Sequence, residues 1–201
     1  AVLFWAAESQ GVLAGMTGPQ QALVSLFQSV APRTAGFNTV DLAALGGAGG
    51  LLEVVLMFIG AGPGSTGGGV KITTVLVCLM ALASFVRGRQ EVKAFDRRLD
   101  SGQVQRAAVS VTLYMVLAIT GCFLLLASPR FPLQDALFEV FSAMSTVGLS
   151  TGITRALSPL NRLIVIVMMF AGRIGSLTIL MAVAERLPPR VKDPVEQIVI
   201  G

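Results

Sequence analysis

Arg33-Thr34-Ala35-Gly36-Phe37-Asn38-Thr39 interrupts apolar sequence, and a variant returns as Ser145-Thr146-Val147-Gly148-Leu149-Ser150-Thr151. Thr34 and Thr146 are 112 positions apart, and at the same offset Phe58 falls on Phe170, Gly60 on Gly172 and Thr39 on Thr151. A register shared by the motif and the helix after it marks an internal repeat. Each copy follows about a dozen helix-forming residues and precedes a long apolar span. A Thr-x-Gly segment in that setting suits a re-entrant pore loop, whose carbonyl oxygens replace the water around a cation.

The helices that lead into the two segments are Gln20 to Ala31 and Leu133 to Met144. At 1.5 Å per residue, about twelve residues reach about 18 Å, roughly half of a ~30 Å hydrocarbon core. Such a helix enters a membrane without crossing it. Pro32 ends the first one just before Thr34, while Pro132 and Asp135 occupy favourable positions at the start of the second. The negative end of the first helix's dipole then points toward a cation held at the motif.

Of the 201 residues, 54% are hydrophobic and 13% charged, a balance that puts the chain in a membrane. The net charge is +4, and its placement matters more than its size. Arg87, Arg89, Lys93, Arg97, Arg98 and Arg106 cluster between the repeats, and Arg186, Arg190 and Lys192 near the end. By the positive-inside tendency both segments are cytoplasmic. Nucleic-acid binding is the rival reading of a basic chain, but no basic patch is interleaved with exposed aromatics, and Glu91, Asp96 and Asp100 are mixed into the linker. Cys78 and Cys122 each sit inside an apolar helix and read as small hydrophobes, with neither a disulfide nor a metal expected. With no histidine and no set of nucleophile, base and orienting group, the chain does not read as an enzyme.

In chain order, Ala1 to Ala7 read as the tail of a helix whose beginning is absent, and Glu8 to Pro19 as an extracellular connection with turn-prone Gly11, Gly15 and Gly18. Gly50 to Ile59 begin a spanning helix, which breaks in Gly60-Ala61-Gly62-Pro63-Gly64-Ser65-Thr66-Gly67-Gly68-Gly69 and resumes over Val70 to Val86. Six glycines and a proline in ten residues cannot hold a helix. Unpaired backbone at membrane depth is tolerated only when buried in protein or lining a water-filled cavity, so this break is expected to line a conduction path. Gly62 to Gly67 also satisfies a dinucleotide G-x-G-x-x-G, but no strand precedes it and membrane helix flanks it on both sides. A Walker pattern fails because Val70 separates Gly69 from Lys71 and Ile72 stands where Ser or Thr is required.

Arg87 to Arg106 form the one polar linker; Val109 to Ala127 span the membrane; Ser128 to Pro132 turn the chain outside. Leu163 to Ala184 make the last span, broken in charge by Arg173 alone. An arginine about ten residues from either end of a span is too deep to snorkel easily and marks a water-filled path or a partner. Arg173 occupies the register of Ala61 in the other repeat, opposite the glycine break, whose freed carbonyls can receive its guanidinium donors.

Four motifs in order, Arg33 to Thr39, Gly62-Pro63-Gly64-Ser65-Thr66-Gly67-Gly68-Gly69-Val70-Lys71, Ser145 to Thr151 and Gly172-Arg173-Ile174-Gly175, resemble the Trk/Ktr/HKT superfamily of potassium uptake proteins, most of all a bacterial Ktr-type membrane subunit. The resemblance covers essentially the whole chain. It implies an all-α integral membrane protein in which four helix–pore loop–helix repeats surround one pore, this chain matching the third and fourth. The third-type repeat is then 1–86 with pore loop 20–39, the cytoplasmic linker 87–107, and the fourth-type repeat 108–201 with pore loop 132–151. Thr34, Ala35, Gly36 and Phe37, and Thr146, Val147, Gly148 and Leu149, would each supply a quarter of a selectivity filter for K⁺, with Asn38 and Ser150 at its mouth. Gly60, Gly62, Pro63, Gly64, Ser65, Thr66, Gly67, Gly68 and Gly69 would form an intramembrane gating loop with Arg173 beside it. Implied partners are a second copy of the chain and a cytosolic ring of nucleotide-binding (RCK/KTN-type) regulatory subunits.

One glycine per filter strand, compared with two in Thr-Val-Gly-Tyr-Gly, allows fewer carbonyl layers and softer discrimination of K⁺ from Na⁺. The expected function is K⁺ uptake across a bacterial cell membrane with no covalent cofactor, Na⁺ being the other ion to consider. An alternating-access cation symporter is the alternative, since broken helices at the midplane serve carriers too. A further rival is a non-conducting scaffold, or a subunit of an ion-pumping ATPase, that keeps the pore fold for assembly.

Overall fold

A computed structural model describes residues 1–88, 91–94, 97–127 and 131–175. Seven helices account for most of these: α1 Val2–Glu8, α2 Gly18–Val30, α3 Gly47–Phe58, α4 Ile72–Val86, α5 Ser101–Leu126, α6 Leu133–Met144 and α7 Pro159–Ile174. Arg89 and Asp96 of the expected linker, 128–130 of the expected outer turn, the end of the expected last span and the basic residues Arg186, Arg190 and Lys192 lie outside the described residues.

The order and lengths fit the all-α membrane reading. α5 has 26 residues with a mean hydropathy of 2.3 over its most apolar window, long enough to cross a bilayer. α3 and α4 are shorter apolar helices that share one interrupted span. α4 buries no residue within the chain, and its Leu76, Leu79, Leu82 and Phe85 are exposed, as are Leu163, Ile166, Val167 and Phe170 of α7. An apolar surface of this extent requires lipid or further protein against it.

The offset of 112 reappears in the backbone. Thr34 and Thr146 are the only non-glycine residues with positive φ among those described, at 69° and 55°, and Gly36 and Gly148 follow at 74° and 86°. Downstream, Leu45 and Leu157 each end a 3-10 turn with ψ 137°, and Gly46 and Ser158 cap α3 and α7 with φ −63° in both. Two segments 112 positions apart therefore fold through the same sequence of torsions.

α6 is the centre of the packing. It lies against α3, α5 and α7, and Ala136, Phe138, Glu139, Val140, Phe141, Ser142, Ala143 and Met144 are all buried. α2, its counterpart, buries only Ser25 and Gln28 and leaves Leu23, Leu26, Phe27 and Val30 exposed. The close approach of α7 to α6 depends on Gly172, where a Cβ would overlap the Met144 carbonyl.

Three boundaries differ from the sequence reading. α7 begins at Pro159 and its described part ends at Ile174, where Gly175 with a φ of 86° takes the chain out of helical geometry. Arg173 sits in the last turn of α7, and the rest of the expected span, 176–184, lies outside the described residues. Within the expected linker 87–107, Ser101 to Arg106 already belong to α5, and the part before them carries a strand pair. Lys93–Ala94 pair with Arg97–Arg98 as two antiparallel two-residue strands, β1 and β2, and Arg98 Nη1 reaches Glu91 Oε1 at 2.8 Å.

The expected connection at Glu8 to Pro19 is also more structured than its glycines imply. Glu8 is buried, accepting from the Gly46 N–H at 2.9 Å and the Val12 N–H at 3.4 Å, which fastens the start of α3 to the end of α1. A Cβ at Gly49 would overlap the same carboxylate, so glycine there makes the fit possible.

Candidate functional site

The Thr-x-Gly segments of the two repeats meet. A Cβ on Gly36 would lie 2.5 Å from the Val147 carbonyl oxygen, so the first segment approaches the second backbone to backbone. Positive φ at a threonine is strained, and at glycine it is not. Such strain persists where surrounding structure imposes it, and it clusters at ligand sites. Phe37, Asn38 and Gly148 are exposed, while Val147 and Leu149 are buried, so the second segment is seated more deeply in the chain than the first.

The second segment is braced from behind. Tyr114 of α5 lies 2.8 Å, hydroxyl to hydroxyl, from Ser145 at the end of α6. Its ring packs edge to face on Phe58, 5.4 Å between centroids, and lies 6.0 Å from Phe141. Beyond Leu149, Ser150 Oγ donates to Glu139 Oε2 at 2.8 Å, and Thr154 Oγ1 donates to Glu139 Oε1. The first segment has different supports. Thr39 N–H donates to Gln28 Oε1 at 3.3 Å, and Asn38 Nδ2 donates to the Val40 carbonyl at 2.9 Å.

The glycine break lies against both segments. Its ends are pinched by a parallel bridge between Ile59 and Val70, with Gly60 N–H to the Val70 carbonyl at 2.9 Å and Val70 N–H to the Phe58 carbonyl at 3.0 Å. Between these, Gly67, Gly68 and Gly69 pack in, and Gly62 to Thr66 are exposed. Gly68 N–H donates to Thr146 Oγ1 at 2.9 Å, and a Cβ on Gly67 would lie 3.1 Å from Thr34 Cγ2. The two positive-φ threonines thus flank the same pair of glycines.

Two cations hold the exposed half of the loop. Lys71 Nζ donates to the Ser65 carbonyl at 2.8 Å and the Gly67 carbonyl at 2.7 Å; Arg173 Nη1 donates to the Thr66 carbonyl at 2.8 Å. Three successive carbonyls that helix pairing has left free therefore receive cationic donors from the two helices on either side. Of the expected gate residues, Gly62, Pro63 and Gly64 are exposed, and a Cβ on Gly62 or Gly64 would meet no atom within 4 Å. A cavity of about 650 Å³ opens between α6, the second segment and α7, lined from Glu139 and Ser150 at one end to Phe170 and Arg173 at the other.

Sequence reasoning gave no role to Lys71, Tyr114, Gln28 and Glu139, which support this site, or to the buried Glu8 and Glu53. Lys71 follows the glycine run directly and opens an apolar helix, and Glu53 and Glu139 stand within apolar helices. An ionisable residue inside such sequence was the signal that marks each of them. Glu53 is fully buried with neither carboxylate oxygen hydrogen-bonded.

A short helix that ends in a strained Thr-x-Gly segment, repeated in register and joined to a broken helix beneath it, defines a membrane protein of the pore-loop class. Residues 1–191 match the TrkH family, described as cation transport protein, and the chain belongs to that family. Ktr system potassium uptake protein B of Vibrio alginolyticus is 37% identical over all of this chain and 44% of its own length. The potassium/sodium uptake protein NtpJ of Enterococcus hirae is 33% identical over all of this chain and 46% of its own. The crystal structure of the potassium transporter TrkH from Vibrio parahaemolyticus superposes with a TM-score of 0.74 at 22% identity, covering 93% of this chain and 42% of that one. The chain therefore spans a little under half the length of the relatives it matches.

Proposed function

We propose that this chain supplies two of the four repeats of a K⁺ uptake pore, 1–86 and 108–201, joined by a cytoplasmic linker over 87–107. The observation that carries the reading is the pair of Thr-x-Gly segments with matched left-handed torsions, meeting at Gly36 and Val147 above a helix break. Thr34 to Phe37 and Thr146 to Leu149 each contribute a quarter of the filter, their carbonyls taking the place of water around K⁺. Asn38 and Ser150 stand at its mouth.

Gly60 to Gly69 act as the gate. The loop lies in the ion's path below the filter, tied to Thr146 through Gly68 and to α7 through Arg173. Opening requires these ties to loosen, and a cytosolic ring of nucleotide-binding (RCK/KTN-type) subunits supplies the bias. The protein works as a homodimer in the bacterial inner membrane, with the linker and C-terminus cytoplasmic and both short helices entering from outside. The relatives named for potassium uptake support K⁺ as the ion; the one named for potassium and sodium makes Na⁺ the comparison to measure.

The test is cation flux through the intact protein in liposomes, K⁺ against Na⁺. Gly148→Ser meets no neighbour within 4 Å but must hold a φ of +86°, so it acts through torsion alone. It is expected to lower K⁺ preference with a smaller loss of total flux. Gly36→Ser meets both a positive φ and the Val147 carbonyl, and is expected to do more. Wild-type preference in both variants removes these segments from the filter. Saturating flux with distinct inward- and outward-facing states would instead identify an alternating-access carrier.

A further inference from the structure

Glu139 is 5% exposed, and both of its oxygens are engaged by residues just beyond the second filter segment. Ser150 Oγ donates to Oε2 at 2.8 Å and Thr154 Oγ1 donates to Oε1. The two hydroxyl oxygens lie 2.8 Å apart, and Ser150 Oγ also accepts from the Gly152 N–H at 2.9 Å. Ser150 is the residue directly after Leu149, so a side chain from α6 holds the exit of the strand that α6 itself leads into. The entrance is held by backbone, Val147 N–H donating to the Ser142 carbonyl at 2.9 Å, and by the Tyr114 hydroxyl on Ser145. One short helix thus fixes both ends of one strand.

The other repeat has no such device. At the offset of 112 the three positions hold Phe27, Asn38 and Leu42, which cannot form a carboxylate and two hydroxyls. The nearest substitute there is the longer Thr39 to Gln28 contact of 3.3 Å. The clamp is therefore not a requirement of the repeat's fold, which forms without it, and belongs to the second strand specifically.

We propose that Glu139 is a positioning residue for the filter, holding the strand 146–149 through Ser150 and Thr154 so that its carbonyls keep a spacing suited to K⁺. The inference rests on the filter reading above. A strand tied at one end only can contract around a smaller ion, and the preference for K⁺ over Na⁺ falls with it. A strand tied at both ends resists that contraction. Two hydroxyls that satisfy a buried carboxylate also leave no stray acceptor to compete with the filter carbonyls for the ion.

The experiment uses the intact protein in liposomes and reads K⁺/Na⁺ preference, total K⁺ flux and thermal unfolding in detergent. Glu139→Gln keeps the shape and replaces one acceptor by a donor; Ser150→Ala and Thr154→Val remove the hydroxyls. Glu139→Gln and Ser150→Ala are each expected to lower the preference about 10-fold or more, the loss of one hydrogen bond to a carboxylate. The double variant should be no worse than the more severe single one, because both break a single clamp. Gly148→Ser, measured alongside, separates the two claims. If it lowers preference while the clamp variants keep the wild-type value, Glu139 is a structural residue only and the proposal is overturned. If all of these variants keep the wild-type value, the filter reading fails and the clamp with it. Should Glu139→Gln not fold, Ser150→Ala carries the same decision.

Discussion

Gly68→Ala is the change that tests the gate with least disturbance elsewhere. A Cβ at position 68 would stand 2.7 Å from the Ser145 carbonyl carbon, 2.8 Å from its oxygen and 2.9 Å from the Met144 carbonyl oxygen, where ordinary contact begins at 3.4 Å. The obstruction is backbone at the end of α6, braced by Tyr114, so the loop must give way by about 0.7 Å and not the filter strand. A shift of that size stretches the 2.9 Å bond from Gly68 N–H to Thr146 Oγ1 to about 3.6 Å, beyond hydrogen-bond range. Losing one such bond is worth about 0.5–1.5 kcal/mol. If the bond is made only in the closed arrangement, the open population rises roughly 2- to 12-fold from a low starting value, and flux with it.

The assay is K⁺ flux per reconstituted molecule without the regulatory partner, with Gly47→Ala as control. A Cβ at position 47, outside both the loop and the two Thr-x-Gly segments, would meet no atom within 4 Å, and φ there is not positive, so alanine is expected to leave flux unchanged. Raised flux in Gly68→Ala alone agrees with the gate. Unchanged or lowered flux in Gly68→Ala, at normal protein level and unfolding temperature, refutes the idea that this contact holds the loop closed.

Arg173→Ala removes the charged donor on the Thr66 carbonyl and is expected to raise flux several-fold and weaken control by the partner, an exposed bond of this kind being worth about 0.5–1.5 kcal/mol; lower flux with control intact would make Arg173 a strut. Tyr114→Phe keeps the ring contacts but strands the Ser145 hydroxyl, a loss of about 1 kcal/mol that lowers the unfolding temperature by about 2–4 °C in a protein of this size. An unchanged unfolding temperature in detergent would show that the hydroxyl pair carries no stability.

The fold is legible in the sequence because its elements repeat and because apolar length separates half-spanning from spanning helices. Leu133 to Met144 can be read to the residue, and α2 to within two residues at its start. The start of α7 cannot, since it lies four residues ahead of Leu163, nor can the torsion of Gly175, which ends the described helix inside apolar sequence. At the site, the threonines, glycines and Arg173 announce themselves by pattern and by charge in an apolar span. Tyr114 does not, because its partner Ser145 is 31 residues away and nothing local distinguishes a bracing tyrosine from a core one. Lys71 is easily passed over once it fails a phosphate-loop pattern, although its own position beside the glycine run is the informative fact.

Comparison of the repeats at a fixed offset finds what they share, and the shared part is the strained backbone of the proposed filter. Control has to come from what they do not share. At the register of Gly60 and Ala61 the second repeat holds Gly172 and Arg173, which continue α7 where the first repeat has already left helical geometry. That difference makes the two repeats complementary: one supplies free carbonyls at Ser65, Thr66 and Gly67, and the other supplies the arginine that takes the middle one. Glu139 follows the same logic on the outer side, where a carboxylate in one repeat meets phenylalanine in the other. A pore of equivalent strands needs only symmetry to bind an ion. To close, and to hold one strand more firmly than its neighbour, it needs these departures.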